Sequence, residues 1–392
     1  MSVSVAAPSV TPTRASLDGV PWVDVAGNLR TALFAGKRLT TMLREIVALR
    51  RAPGRLSMAE YFYYRLWDSS LSLDEKRQFV GKDSQGAMHF ACNDHDWYGA
   101  TQDKLLFHLI ATAAGLPVPE LLAVVHPTRA TPGFPAVQSG ATLASLLRDR
   151  GLYPFFAKPI DGIYSLGAIS ADHVDALGQV HLDDGSDRPH AAVADEMARH
   201  ESGMLIQRRL SPDVRLARQS GNRLWSVRLL VLLTKSGPQT VRAVCKIPAP
   251  GNIADNFWRP GNMIAAVDVG SGMIVRAVRG TGQEMELDPE HPETGLLVKG
   301  SGLPDWGRVL TLAREASALF PGVRTQSWDI ALTDGGPVLL EVNWGGDLNL
   351  AQLAYGYGVL DGTYAAHLEA NGYEERRSRR RLQRLCEGLR RD

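Results

Sequence analysis

Only three cysteines, Cys92, Cys245 and Cys386, occur in 392 residues. They are too few and too scattered to build a disulfide framework. Long apolar runs are absent as well. The longest aliphatic run, residues 229–233, suits a buried strand and falls far short of a membrane span. An excess of charge is also missing, because 43 Lys and Arg stand against 42 Asp and Glu. No global field then points to nucleic acid or to a membrane surface. No secretory apolar segment is found. The expectation is a cytoplasmic protein without a membrane span or a nucleic-acid partner. Several chemical signatures are lacking too. There is no Gly-x-Ser-x-Gly elbow and no Gly-Lys-Ser/Thr entering a helix. No second ligand pair accompanies His89, Cys92, His95 and Asp96, so these read as a local polar turn rather than a zinc site.

What is present has the balance of a globular chain, with 44% hydrophobic and 22% charged residues. The length allows two or three compact units. Residues 1–27 are rich in Ser, Thr, Pro, Val and Ala and are expected to form a loose tail. Residues 28–94 read as a helical accessory region. Leu29, Leu33, Met42, Ile46 and Leu49 share a face there, and the interspersed arginines read as a solvated surface. Tyr61, Phe62, Tyr63 and Tyr64 are dense enough to be core. From residue 95 onward the periodicity alternates between helix and strand, and after residue 222 it becomes strand-rich. An α+β architecture follows. No internal repeat is found. The last nineteen residues hold eight arginines and four acids, and 366–392 reads as a basic helix or tail.

The most informative segment runs from Ser327 to Asn343. Asp334-Gly335-Gly336 is turn chemistry between two apolar-rich strands, so a hairpin is expected. With Gly335 at its centre, Asp329 lies directly opposite Glu341. Asn343 shares the face of Glu341, because side chains alternate with period two. Cβ atoms in such a pair stand about 4.5–5.5 Å apart. Facing carboxylates repel unless a cation lies between them or one is protonated. Asp329, Glu341 and the Asn343 amide form an all-oxygen set of the kind that suits Mg²⁺. Trp328, Ile330, Leu332, Val338, Leu340 and Val342 are expected on the opposite, buried face.

A second segment places Lys158 at the end of an apolar strand, ahead of a loop holding Gly162, Ser165 and Gly167. A lysine there supplies a fixed charge for a phosphate, and a Gly/Ser loop lets backbone N–H groups close over phosphate oxygens. Asn252, Asp255, Asn256 and Arg259 form a polar loop with Phe257 and Trp258, a composition that suits a site mouth. Gly345-Gly346-Asp347 follows the hairpin closely.

In order and spacing, five elements together resemble an ATP-grasp domain over roughly residues 95–365. They are Asp103-Lys104 opening a helix, Lys158-Pro159 with its glycine loop, residues 204–210, Arg228 on a strand, and Asp329 with Glu341-x-Asn343. The similarity is greatest to the sugar-transfer-associated and glutamate-ligase-related branch. It implies two subdomains clasping a nucleotide, with a hinge near 204–213. Lys104 and Lys158 would hold the α- and β-phosphates, and Gln207 would lead into a hinge where backbone groups of Arg208, Arg209 and Leu210 hydrogen-bond the adenine edge. Gln207 departs from the glutamate often found at that position, and Asp213 is an acid available for the ribose. The same resemblance gives Asp329, Glu341 and Asn343 to two Mg²⁺ ions, with Mn²⁺ as a substitute, and Arg228 to the transferred phosphoryl group.

The reaction implied is ATP-dependent ligation of a small-molecule carboxylate to an amine, or to a thiol, through an acyl phosphate. Polysaccharide, peptide and natural-product modification are the settings it suggests. A small-molecule kinase and a non-catalytic nucleotide-binding module are the alternatives. Asp255, Asn256 and Asp347 are the candidate substrate contacts. The acid, the acceptor and the oligomeric state are left open.

Overall fold

The computed structural model describes residues 23–68, 70–126, 128–129, 131–134, 136–162, 166–252, 255–257, 259–374, 378–380, 382–384 and 386. Ser165, Trp258, most of the presumed tail and much of the arginine-rich C-terminus lie outside the described residues.

The described residues open with seven α-helices: α1 (Val25–Phe34), α2 (Leu39–Arg51), α3 (Met58–Tyr63), α4 (Leu73–Lys76), α5 (Lys82–Cys92), α6 (Tyr98–Gln102) and α7 (Lys104–Ala113). Helix starts at Val25, three residues ahead of the expected boundary, because the Asp24 side chain caps the Gly27 amide. Helices α1 and α2 are separated by a break where Gly36 takes a positive φ of 85°. Helix α3 opens with a reciprocal capping box between Ser57 and Glu60. Its aromatics, Tyr61 to Tyr64, are all buried, in keeping with a core role.

The first sheet contains β1 (Leu121–Val125), β2 (Ala136–Val137), β3 (Phe155–Pro159), β4 (Ile169–Val174), β5 (Gln179–Leu182), β6 (Asp187–Pro189) and β7 (Met204–Arg208). Their order is β2-β1-β7-β3-β4-β5-β6. Helices α8 (Gly140–Asp149) and α9 (His190–Ala198) interrupt the series. Among the described residues only β1 and β2 pair in parallel, so alternation of helix and strand does not yield a parallel sheet here. The second sheet follows α10 (Val214–Ser220) and is antiparallel throughout. It contains β8 (Ser226–Thr234), β9 (Gly237–Ile247), β10 (Met263–Val267), β11 (Ile274–Arg279), β12 (Glu286–Leu287), β13 (Thr325–Thr333) and β14 (Gly336–Asn343). Here the order is β12-β11-β10-β9-β8-β13-β14. Helix α11 (Trp306–Ser317) precedes β13, while α12 (Leu348–Tyr355) and α13 (Gly362–Ala370) follow β14.

Period-two alternation splits the second sheet into two apolar faces. Leu229, Val231, Ala243, Cys245 and Trp328 pack with Phe107 of α7 and Val309 of α11. Leu230, Leu232, Val244 and Ile264 pack on the other side with Met42, Tyr61, Phe62 and Leu353. The N-terminal helices thus share a hydrophobic core with the second sheet instead of standing apart from it. Arg228 and Lys246 belong to that same face, at the end of the strands that the helices leave uncovered.

Candidate active site

The hairpin β13–β14 places Asp329 opposite Glu341, but by a different route from the one expected. Thr333 pairs with Gly336, so the turn is a two-residue one, and the register shifts between Ile330↔Leu339 and Asp329↔Glu341. Leu340 is the additional residue, a β-bulge of the kind that re-aims side chains beside functional sites. The bulge explains why Leu339 and Val342, three apart, both lie in the core. Val338 and Leu340, expected in the core, are only half-buried. The freed Leu340 carbonyl accepts a hydrogen bond from Lys158 Nζ at 3.2 Å.

Asp329 also pairs in register with Arg228 on β8, so Glu341, Asp329 and Arg228 form one row across three strands. Arg228 grips the carboxylate with two hydrogen bonds, from Nε to Oδ1 at 2.8 Å and from Nη2 to Oδ2 at 2.6 Å. Lys246 Nζ lies 3.2 Å from the same Oδ2 and 3.3 Å from Asp255 Oδ1. The expected repulsion between carboxylates is therefore answered by side-chain cations. Burial opposes ionisation of Asp329, but Arg228 and Lys246 override it and hold the carboxyl well below the usual range. Arg228 is likewise held above its ordinary value, its burial outweighed by the Asp329 charge.

Two lysines approach from the opposite wall. Lys104 starts α7, where Asp103 caps the Leu105 and Leu106 amides, both at 2.9 Å. Its ammonium donates to the Gly162 carbonyl and lies 3.9 Å from Glu341 Oε2. Lys158 lies at the end of β3, and desolvation lowers its pKa to about 8, with Glu341 opposing that shift. Four cations thus face three carboxylates, Asp255, Asp329 and Glu341. The surplus charge is positive, which favours a polyanion.

These groups sit where two compartments meet. The smaller, about 480 Å³, runs from Lys158, Lys246 and Glu341 to Gln207, Arg208, Leu210 and Pro212. The larger, about 800 Å³, runs from Lys104, Gly162 and Asn343 past Asp255 and Asn256 to Lys82, Gln85, His89 and Asp347.

Most expected residues are gathered here, with three corrections. Asp213 does not reach the cleft. It is buried, caps α10 and takes the Arg215 guanidinium at 3.0 and 2.7 Å, so its oxygens are committed elsewhere. The Arg208 and Arg209 amides are also committed, donating to the Glu120 and Pro154 carbonyls. Gly167, at φ 73°, turns its loop but lines neither compartment. His89 is fully buried and pushed down to about 3 by desolvation, then by the Lys82 charge. Cys92 is pushed up to about 11 by burial, and no metal-holding cluster of His, Cys, Asp or Glu occurs among the described residues.

Lys246 escaped the sequence reading. Its signal was available, a lone lysine in the buried half of β9. Lys82 was missed as well. It pairs with Asp347 at 3.0 Å, the residue that caps α12. Nothing local in the sequence announces that pairing across more than two hundred residues.

A family profile described as sugar-transfer associated ATP-grasp matches residues 88–366. The chain belongs to that family. No curated protein matches it. Among solved structures, the ADP complex of purK, an N5-carboxyaminoimidazole ribonucleotide synthetase, is 12% identical, with a TM-score of 0.37 over 64% of this chain and 46% of that one. The ATP-grasp ligase PsnB, complexed with a phosphomimetic variant of its minimal precursor, Mg and ADP, is 14% identical, with a TM-score of 0.39 over 71% and 60%. The D-alanine-D-alanine ligase from Coxiella burnetii is 12% identical, with a TM-score of 0.38 over 76% and 62%. The chain spans about half the length of the first two structures it matches. The family assignment stands on the profile match alone.

Proposed function

We propose that this ATP-grasp protein is a Mg²⁺-dependent ligase that activates a carboxylate as an acyl phosphate and passes it to an amine. One observation carries the reading: Lys104, Lys158, Arg228 and Lys246 converge on Glu341 and Asp329 at the junction of two compartments. The smaller compartment takes the nucleotide, with its base toward Gln207 and Leu210. The larger takes the acid and the amine, with Asp255, Asn256 and Asp347 in its wall.

Glu341 and Asn343 fit a hard cation best. Glu341 is partly exposed to the cleft, with the Asn343 amide at 3.4 Å, cations at 3.9 and 4.0 Å and the Asp329 carboxylate beside it. Asp329 fits as a third ligand only if Arg228 or Lys246 releases one of its oxygens. Mn²⁺, another oxygen-seeking ion, would be accepted. When bound, Mg·ATP supplies the transferable phosphoryl group and the divalent charge that shields it. The chain's own part is positioning and neutralisation. Lys104 and Lys158 fix the polyphosphate from one wall. Arg228, held in place and in its cationic form by Asp329, faces the developing charge from the other. No protein nucleophile is required.

The test is a screen of carboxylic acids with ATP, Mg²⁺ and hydroxylamine, which intercepts an acyl phosphate as a hydroxamate. Hydroxamate formation, and release of ADP and free phosphate in equal amounts with an amide product, is the expected result. A stable phosphate ester without free phosphate would instead make the protein a kinase. Failure of ATP to bind or turn over would leave it a module of another kind.

A further inference from the structure

Helices α1 and α2 take no part in the cleft, yet they carry a surface that solvent alone does not explain. Along α2, Leu39, Leu43 and Val47 follow one another at one-turn spacing and are 47%, 52% and 47% exposed. Met42 and Leu49, on the inward side, are 1% exposed. Leu33 and Phe34 end α1 at 44% and 90% exposure. Beside these apolar groups stand Arg30, Arg38, Arg44 and Arg51, all exposed and with no carboxylate partner among the described residues. Lys37 and Arg50 differ, being paired with Glu45 and Asp83. Leu43, Arg44, Val47 and Arg51 line one shallow depression with Pro53 and Arg77.

An apolar stripe flanked by uncompensated cations asks for an occupant that is both apolar and anionic. A second copy laid face to face would set these arginines against their own counterparts. Residues 1–22 contain one acid, Asp18, and one base, Arg14, and so bring no net negative charge. A rigid protein partner needs a groove to receive a helix ridge, whereas a lipid surface yields to it. An anionic bilayer answers both requirements, with headgroup charge for the guanidinium groups and an acyl boundary for Phe34 and the leucines. No helix among the described residues is long and apolar enough to cross a membrane, so the contact is peripheral.

We propose that the exposed face of α1 and α2 docks the protein on an anionic phospholipid surface, with α2 lying in the interfacial plane. This concerns a face remote from the cleft and does not depend on the ligase reading.

The experiment is co-sedimentation of the full chain with vesicles of equal parts phosphatidylglycerol and phosphatidylcholine, against phosphatidylcholine alone. Binding to the anionic vesicles only, weakened by added salt, is expected. The double substitution Arg44→Ala/Arg51→Ala lowers the partition coefficient about thirtyfold. Leu43→Gln/Val47→Gln abolishes binding while the melting temperature, read alongside, stays within a few degrees of the parent. Equal recovery with both vesicle types, or unchanged binding by either variant, would overturn the proposal. So would a dimer lost on Leu43→Gln/Val47→Gln, or retention by polyglutamate with no vesicle binding. Those outcomes would assign the face to a second copy or to an acidic protein.

Discussion

The two sheets meet at one cleft but contribute to it differently. The second sheet brings a charged floor whose members already satisfy one another: Arg228 and Lys246 on Asp329, Lys246 on Asp255, and Ser226 on Asp255. The first sheet and its loops bring Lys158, with a carbonyl as its hydrogen-bond acceptor, beside Lys104 from α7, with another. A network that is internally compensated stabilises its own geometry before any ligand arrives. A lysine desolvated without a close carboxylate is destabilising until an anion joins it. The floor is built for rigidity, and the opposite wall is built to respond to the nucleotide.

The sharpest way to break this contrast is Asp329→Asn. It removes a buried counter-charge from two cations, and we expect a loss of about 3–5 kcal/mol in stability by urea unfolding. An unchanged midpoint would mean the floor is not self-compensated. Glu341→Gln and Asn343→Ala should leave the fold intact, since their partners lie at longer range, and should lower turnover about 10²–10³-fold. Full activity with Mg²⁺ in either variant would detach the hairpin from the cation.

Lys158 tests the responsive wall through pH. Its folded pKa lies below that of an unfolded lysine, so the charged form is disfavoured in the native chain. Stability contributed at this site is therefore lowest below about pH 8 and rises as pH climbs from there toward 10.5, the ordinary lysine value. Nucleotide affinity runs the other way, because a polyphosphate binds the ammonium form. Titration calorimetry should show ATP affinity falling by up to about tenfold per pH unit above pH 8, and Lys158→Met should flatten the profile. A wild-type profile as flat as the variant's would show that this lysine does not meet the phosphates.

The smallest effect is expected at Asp213, outside the cleft. Asp213→Ala should cost about 1 kcal/mol through loss of the α10 cap and leave ATP affinity unaltered. A marked loss of affinity would return this acid to the nucleotide site.

Much of the site was legible from local pattern. The hairpin and its carboxylate pair were expected from turn residues and alternation, but Asp329 meets Glu341 only because the bulge at Leu340 offsets the shorter turn. Lys104 and Lys158 stand at the starts and ends of elements that capping and apolar runs announce. What escaped was nonlocal. The bulge at Leu340 has no signature in composition, since an unbulged hairpin would also bury alternate leucines and valines. It became visible only when Leu339 and Val342 were found on one face. Asp213 is a local exception: it caps α10 and pairs with Arg215 two residues on, which leaves neither oxygen for a ligand.

By itself, then, the sequence determined which residue types gather on each strand face, because alternation acts over a few residues, except on the turn side of the bulge, where Leu339 takes the core place expected of Val338 and Leu340. Only the tertiary structure decided how those charges are compensated. Arg228 and Lys246 reach Asp329 from strands about a hundred residues away or less, Asp255 reaches Lys246 from a loop, and Lys82 meets Asp347 across a longer gap still. Coulombic partners are chosen by distance in space and by desolvation. Neither exists until the two sheets and the helices have packed.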